Sequence, residues 1–392
     1  MKSIHLTKLL VLSIFITALN FPVLSQPVWT QKSNYSGVAR FDFAGFSLNG
    51  KGYIGGGRYG GPFNSISEWQ EYNPVSDSWN IITPMTYPFT ALSAFEIAGT
   101  GYVMNGVNDA FYNYDTFRYN QAGNNWSTGA QNNYPRLYAS GVSNGVKGYI
   151  IGGYGFSAES LNDLWEYNPV LDAWTEKDTL PLSAARYYAS AFSILGNVYV
   201  FGGTNDFGNL NDLWKYDTAT THWTQMSSMP SVERMQSLSF VINNEAYVVG
   251  GSLNGTNSKE VWKYDAITDT WTALPDFPGL NAPFGGVAFT INGKGYIVTG
   301  NGTSECWEFD PGINNTTENP AESITVSLSP NPVVGISVLQ FKERNTAGYT
   351  IEITNSLGVI VKTLRTNLTE VFIDRKELTT GIYFARIHDQ SF

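Results

Sequence analysis

Between Trp29 and Asp310 one pattern recurs six times, and a repeat of this kind narrows the possible folds more than any other property of the chain. Each copy holds a short apolar run closed by a pair of small residues: Gly56-Gly57, Asn105-Gly106, Gly152-Gly153, Gly202-Gly203, Gly250-Gly251 and Thr299-Gly300. The second members, Gly57, Gly106, Gly153, Gly203, Gly251 and Gly300, are spaced by 47 to 50 residues. A tyrosine stands at a fixed offset before each pair, at Tyr53, Tyr102, Tyr149, Tyr199, Tyr247 and Tyr296. Glycine at such a point marks a turn or a close approach where a Cβ has no room.

The rest of the unit reads as strands. Large and polar residues alternate in Leu164-Trp165-Glu166-Tyr167, Leu213-Trp214-Lys215-Tyr216 and Val261-Trp262-Lys263-Tyr264. That alternation predicts a half-buried strand, with Trp69, Phe117 and Trp307 placed in the same slot. Trp79, Trp126, Trp174, Trp223 and Trp271 then open a last strand after turns such as Asn73-Pro74 and Asn168-Pro169. The sixth unit has no such tryptophan, but Trp29-Thr30-Gln31-Lys32 at the other end of the array matches Trp223-Thr224-Gln225-Met226. An N-terminal strand that completes the sixth unit would close a ring and leave no open sheet edge. The composition agrees with an all-β chain: 15% aromatic, 14% charged and 39 glycines favour short strands and tight turns over helices.

These residues resemble the kelch family, whose units of about 50 residues form four-stranded propeller blades. The resemblance covers Trp29 to Asp310 and implies a six-bladed β-propeller over residues 26–312. All eleven tryptophans fall in repeat slots, so they are read as blade-packing residues and not as ligand platforms.

Both ends depart from the repeat. Lys2 and Lys8 precede the apolar run Leu9 to Leu19, the pattern of a secretory signal peptide spanning residues 1–25 with cleavage after Ser25. The run is short for a membrane crossing, so no transmembrane segment is expected in the mature chain. Loss of the two lysines takes the formal charge from −10 to −12. Residues 313–323 are polar and read as a linker. From 324 to 392, short strands with turn signals predict a small Ig-like β-sandwich. Pro330-Asn331-Pro332, Asn355-Ser356-Leu357-Gly358, Ile373-Asp374 with Leu378, and Gly381-Ile382-Tyr383 resemble the type A sorting domain of type IX secretion cargo in Bacteroidota. That resemblance implies export to the cell surface or beyond after Sec passage to the periplasm, with the secretion machinery as a partner. It also implies a final strand, which the ending at Phe392 leaves short.

Composition removes several chemistries. An acidic chain with a pI of about 4.8 lacks the basic footprint that nucleic acid requires. Cys306, the single cysteine, cannot form an intrachain disulfide, and after Ser25 only His222 and His388 offer imidazole, so neither a metal site nor a cofactor is expected. Copper radical chemistry, known among kelch propellers, is excluded on the same ground. Asn162-Asp163 and Asn211-Asp212 are read as loop caps, not calcium ligands.

One slot remains. Thirteen residues before the blade tyrosines stand Arg40, Phe89, Arg136, Arg186, Arg234 and Pro283. In a propeller these positions surround the central channel, so Arg40, Arg136, Arg186 and Arg234 are the candidate ligand-binding residues, converging on a carboxylate. Asp42 and Glu233 stand nearby to offset that charge or to act as acid or base. No catalytic residue is assigned. The expectation is a monomeric, exported binding module for a glycan or acidic peptide. A carbohydrate enzyme of the sialate mutarotase kind and a structural adhesin component are the alternatives.

Overall fold

The computed structural model describes residues 11–16, 27–60, 64–109, 111–132, 134–300 and 302–312, and in the tail 326–329, 336–341, 349–355, 360–374, 376, 378 and 382–389. Two units separate by contact, Pro27–Pro311 in one and Met1–Gln26 with Gly312–Phe392 in the other.

The larger unit is a six-bladed propeller. The first blade runs Ala44–Leu48, Lys51–Gly55, Trp69–Asn73 and Ser78–Ile82 as a four-stranded antiparallel sheet. The sixth is Val287–Ile291, Lys294–Val298 and Cys306–Asp310 with Val28–Lys32 as its outer strand. Register pairs from Val28↔Asp310 to Lys32↔Cys306 seal the ring as the sequence predicts. Innermost strands touch one another in turn around the circle, the sixth against the first.

Burial follows position within the blade. Innermost strands alternate buried and half-buried, second strands are buried almost throughout, and outer strands are mostly exposed. A second strand is covered on both faces by adjacent blades, which is why Tyr53-Ile54 or Val248-Val249 shows no polar alternation.

Blade-to-blade packing is a knob-and-hole arrangement written in the Gly-Tyr pairs. Phe46 stacks on the cross-strand Tyr53 at 5.2 Å and fills the space a side chain at Gly101 of the next blade would need. Phe95 covers Gly148, Phe240 covers Gly295, and Phe289 covers Gly52 across the seam in the same way. Where the third blade carries Val142 in place of phenylalanine, the fourth carries Val198 in place of glycine.

Trp69 does not occupy the slot of Trp165. Tyr72 and Tyr167 pair with Gly52 and Gly148, so Trp69, paired with Gly55, is equivalent to Leu164, paired with Ile151. A Cβ on Gly55 would lie 2.0 Å from the indole ring. The first blade therefore holds a large and a small residue where the third holds two of intermediate size.

A second set of ties links the outer strands. The turn carboxylate Asp77 accepts the Ser33 N–H at 2.9 Å from the preceding blade and the Tyr72 hydroxyl at 2.8 Å. Asp172 does the same with Ala130 and Tyr167, and Asn124 with Thr83 and Tyr119. Burial acts to raise Asp77 and Asp172, but the hydrogen bonds they accept outweigh it and hold both low, Asp172 at about 2. A carboxylate depressed in the folded state adds stability above its unfolded value, about 4, and loses it as pH falls through the folded value. The melting temperature is therefore expected to fall between about pH 4 and pH 2, and Asp172→Asn to flatten that fall; an equal slope in the variant would contradict the assignment. The Asp172 side chain is 41% exposed, so its share is under about 1 kcal/mol.

One plug is mismatched. Tyr35, Met85, Leu180, Met229 and Phe277 fill equivalent buried positions where the chain passes between blades, each donating its N–H to the facing loop. Asn132 fills the sixth with its side-chain Nδ2 unpartnered. Asn132→Leu is expected to stabilise the propeller by about 1 kcal/mol, net of the Tyr134 N–H bond it gives up, as read by denaturant midpoint; a lowered midpoint would count against it.

In the other unit Val326–Ser329, Ile336–Phe341 and Glu370–Asp374 form one sheet, and Tyr349–Asn355, Ile360–Thr366, Ile382–Asp389 and Val11–Ile16 form a second. Phe341 stacks on Tyr349 at 4.2 Å between the sheets, among buried Leu339, Ile351, Ile353 and Ile373. The final strand reaches Asp389. Part of the apolar run read as a leader, Val11–Ile16, lies parallel to it as an edge strand. The cleavage point after Ser25, the linker and Pro330-Asn331-Pro332 lie outside the described residues.

Candidate functional site

The four arginines share a slot, as expected, but they do not converge on a ligand. Arg40, Arg136, Arg186 and Arg234 are 0–1% exposed, each clamped inside its own blade. Arg136 donates to both oxygens of Asp163, at 2.5 and 2.7 Å, and to the carbonyl of Gly152 at 2.9 Å. Arg186 repeats this with Asp212 and Gly202. Arg40 reaches Glu68 and Gly56, and Arg234 reaches Glu260 and Gly250. The main chain of the same slot holds the neighbouring blade: the Gly153 N–H bonds the Arg186 carbonyl and the Gly203 N–H that of Arg234. Asp163 and Asp212, read as loop caps, are thus the arginines' partners, while Asn162 and Asn211 do bond loop carbonyls. A donor two residues beyond each acid completes the clamp: Trp165, Trp214 and Trp262, and Gln70 in the first blade. The acid-x-tryptophan spacing was the available signal. Glu233 is exposed and takes no part in the clamps.

The channel is lined two residues further on. Asp42, Ala91, Tyr138, Tyr188, Gln236 and Gly285 occupy one equivalent position in the six blades, all with φ between 53° and 61°. Non-glycine residues rarely adopt that conformation, and a bulky one costs roughly 1 kcal/mol or more there. Main-chain bonds hold it: Ala91 N–H to the Asp42 carbonyl, Tyr188 to Tyr138, Gln236 to Tyr188 and Gly285 to Gln236, at 2.8–3.1 Å. These bonds close four of the six junctions of the hoop that the chain makes around the axis.

Side chains from the hoop meet one another across the opening. Gln236 Nε2 donates to Asp42 Oδ1 at 3.4 Å, although the sixth blade separates the fifth from the first. Arg58 Nε donates to Asp42 Oδ2 at 3.0 Å, and its guanidinium lies over Phe41. Tyr138 and Tyr188 stack at 4.0 Å. Burial raises Asp42 above the usual carboxylate range despite the Arg58 charge. Burial, with the Asp42 charge beside it, also raises the Tyr188 hydroxyl. The arrangement offers a carboxyl, an amide, a guanidinium and two phenols on a stacked aromatic wall, a set able to hold a hydroxylated ligand through directed hydrogen bonds.

Other sequence candidates fall elsewhere. His222 is exposed on an outer strand near Asp178, 3.2 Å away. Cys306 is fully buried, and burial pushes its thiol well above the usual range. Among the described residues no three metal-ligating side chains cluster, and no helix is long and apolar enough to cross a membrane.

A family model described as the KLHDC2/KLHL20/DRC7 Kelch-repeats domain matches residues 94–302, and one described as a Secretion system C-terminal sorting domain matches 327–392. F-box/kelch-repeat protein SKIP11 of Arabidopsis thaliana is 29% identical over 142 residues, 35% of this chain and 30% of its own. Kelch-like protein 23 of Homo sapiens is 39% identical over 82 residues, 20% of this chain and 14% of its own. The chain thus spans under a third of these relatives' length. A match over more than half of the chain, joined to the six-bladed ring, settles its kinship: the chain belongs to the kelch-repeat family and carries a secretion-system sorting domain behind its propeller.

Proposed function

We propose that this exported kelch propeller is a glycan-binding module whose ligand sits at the channel mouth among Asp42, Arg58, Tyr138, Tyr188 and Gln236. The observation that carries the reading is the convergence of these polar and aromatic groups from four blades onto one opening, in a backbone conformation that costs stability. The glycan reading is preferred to the acidic-peptide one because the four buried arginines are already paired, and Arg58 is neutralised by Asp42. Passage through the Sec route, behind a leader cleaved after Ser25, and a monomeric state belong to the same proposal.

The test is a glycan array probed with the purified chain and with Tyr188→Ala and Gln236→Ala. Binding that both variants lose while still folded supports the site; binding that both retain removes it. Asp42→Asn is expected to lose binding and to raise the melting temperature at pH 7, because burial holds the native carboxyl against ionisation. A lowered melting temperature would show that Asp42 is there for stability.

Asp42 also favours a second reading. Burial raises this carboxyl at the mouth, within reach of the groups that would hold a sugar, and a carboxyl so placed is what a sugar mutarotase or epimerase requires. Turnover of any bound sugar, abolished by Asp42→Asn with binding retained, would establish it. An array with no hits would leave the structural adhesin role.

A further inference from the structure

The propeller has two rims of different chemistry. Turns between first and second strands and between third and outer strands lie at one end of each blade, and the remaining loops lie at the other end with the channel hoop. Among the described residues, every exposed aromatic side chain of the propeller is on the hoop's rim, between residues 59 and 207. Tyr87, Phe111, Tyr114, Tyr134, Phe156 and Phe207 are 44–93% exposed. The opposite rim exposes aliphatic residues instead, Val75, Val146, Val170, Leu171, Leu195 and Ile267. Loops of the fifth and sixth blades on the hoop's side expose Val232 and Leu280 but no aromatic ring. Val38 and Leu182 are exposed on the hoop's rim as well, so aliphatic side chains occur on both rims while the exposed rings are confined to one.

One group of rings runs outward from the channel, and two further groups lie on the same rim. Tyr188 stacks on Tyr138 and contacts Tyr187 at 5.5 Å, and Tyr187 contacts Tyr154 at 5.2 Å. Tyr112 meets Phe156 edge-on at 5.5 Å, and Tyr87 meets Phe111 at 5.6 Å over the buried Phe89. Phe89 fills the arginine slot of the second blade, so the repeat gives up its ion-pair clamp there for a buried ring beneath Tyr87 and Phe111.

We infer that the ligand is a neutral polysaccharide chain, its end or a branch seated at the channel mouth and its following sugars laid over the aromatic rim of the second to fourth blades. The inference rests on the channel-mouth reading above. Exposed rings offer apolar faces that match the C–H faces of pyranose rings, while their edges tolerate water. A polyanion is disfavoured, since the chain carries a formal charge of −10 and the arginine beside the mouth is neutralised.

A chain-length series tests this. Wild type, the exposed-rim variant Phe111→Ala/Phe156→Ala/Phe207→Ala and the mouth variant Tyr188→Ala are titrated with neutral β-linked oligosaccharides of two to six sugars, mixed-linkage β-glucan, and alginate as a polyanion. Wild type is expected to gain at least tenfold in affinity from disaccharide to hexasaccharide. The rim variant should keep disaccharide binding and lose that gain, and the mouth variant should lose both. Equal affinity for all lengths in wild type overturns the inference and leaves the mouth intact as a site. Preference for alginate overturns the neutral class, and no binding to any glycan removes the mouth reading with it.

Discussion

Arg186→Ala is expected to destabilise the propeller by about 3–5 kcal/mol, the range for removing one member of a buried ion pair. The substitution strips Asp212 of its bidentate partner and leaves the carbonyls of Ala184 and Gly202 without a donor. Arg186→Lys should recover little, because one ammonium cannot span both carboxylate oxygens and two carbonyls. Asp212 keeps the Trp214 indole N–H, so the acid is not wholly orphaned and the upper end of the range is a ceiling. The measurement is the guanidinium midpoint of the purified chain, with glycan binding read beside it. An unchanged midpoint with lost binding would return the arginine to the role of ligand contact.

The second large effect is a matched pair. Gly55→Val places its branched carbon inside the Trp69 ring, where 2.0 Å already separates an ideal Cβ from the indole, and is expected to cost at least 3 kcal/mol, roughly the upper range for overpacking. Trp69→Leu empties a fully buried site and is expected to cost about 3–5 kcal/mol, as large aromatic truncations do. Together the two changes give a Val–Leu pair close in size to the Ile151–Leu164 pair of the third blade, so the double variant should be more stable than either single one. A coupling of about 2 kcal/mol is expected from the double-mutant cycle. Additive losses would show that the Gly55 and Trp69 sites do not share one volume.

The ring was legible because its signals are local and repeated. Glycine beside tyrosine, tryptophan after a turn, and the displaced Trp29 each report a position in a blade without any long-range knowledge. Trp69 was assigned by residue type, and type misled: its register follows from Gly55 opposite, a volume relation that appears only when two strands are aligned. The arginine slot was found, but its meaning depends on acids 26 to 28 residues away that share the blade. The channel position leaves no repeat signal, because its residues differ from blade to blade. In a repeat, a position whose conformation is fixed while its side chains vary is where individuality is stored, and Asp42, Tyr138, Tyr188 and Gln236 sit there.

The seam has a consequence in time. Val28 pairs with Asp310, so the first strand of the ring must wait for almost the whole propeller to be made before it finds its partner. At roughly 5–20 residues per second of synthesis, that wait is roughly 15–60 s. Closure is therefore a contact of very high sequence separation, the class that slows folding most. Through that interval Val28–Lys32 has no partner strand, and the chain stays an open arc that can still be threaded.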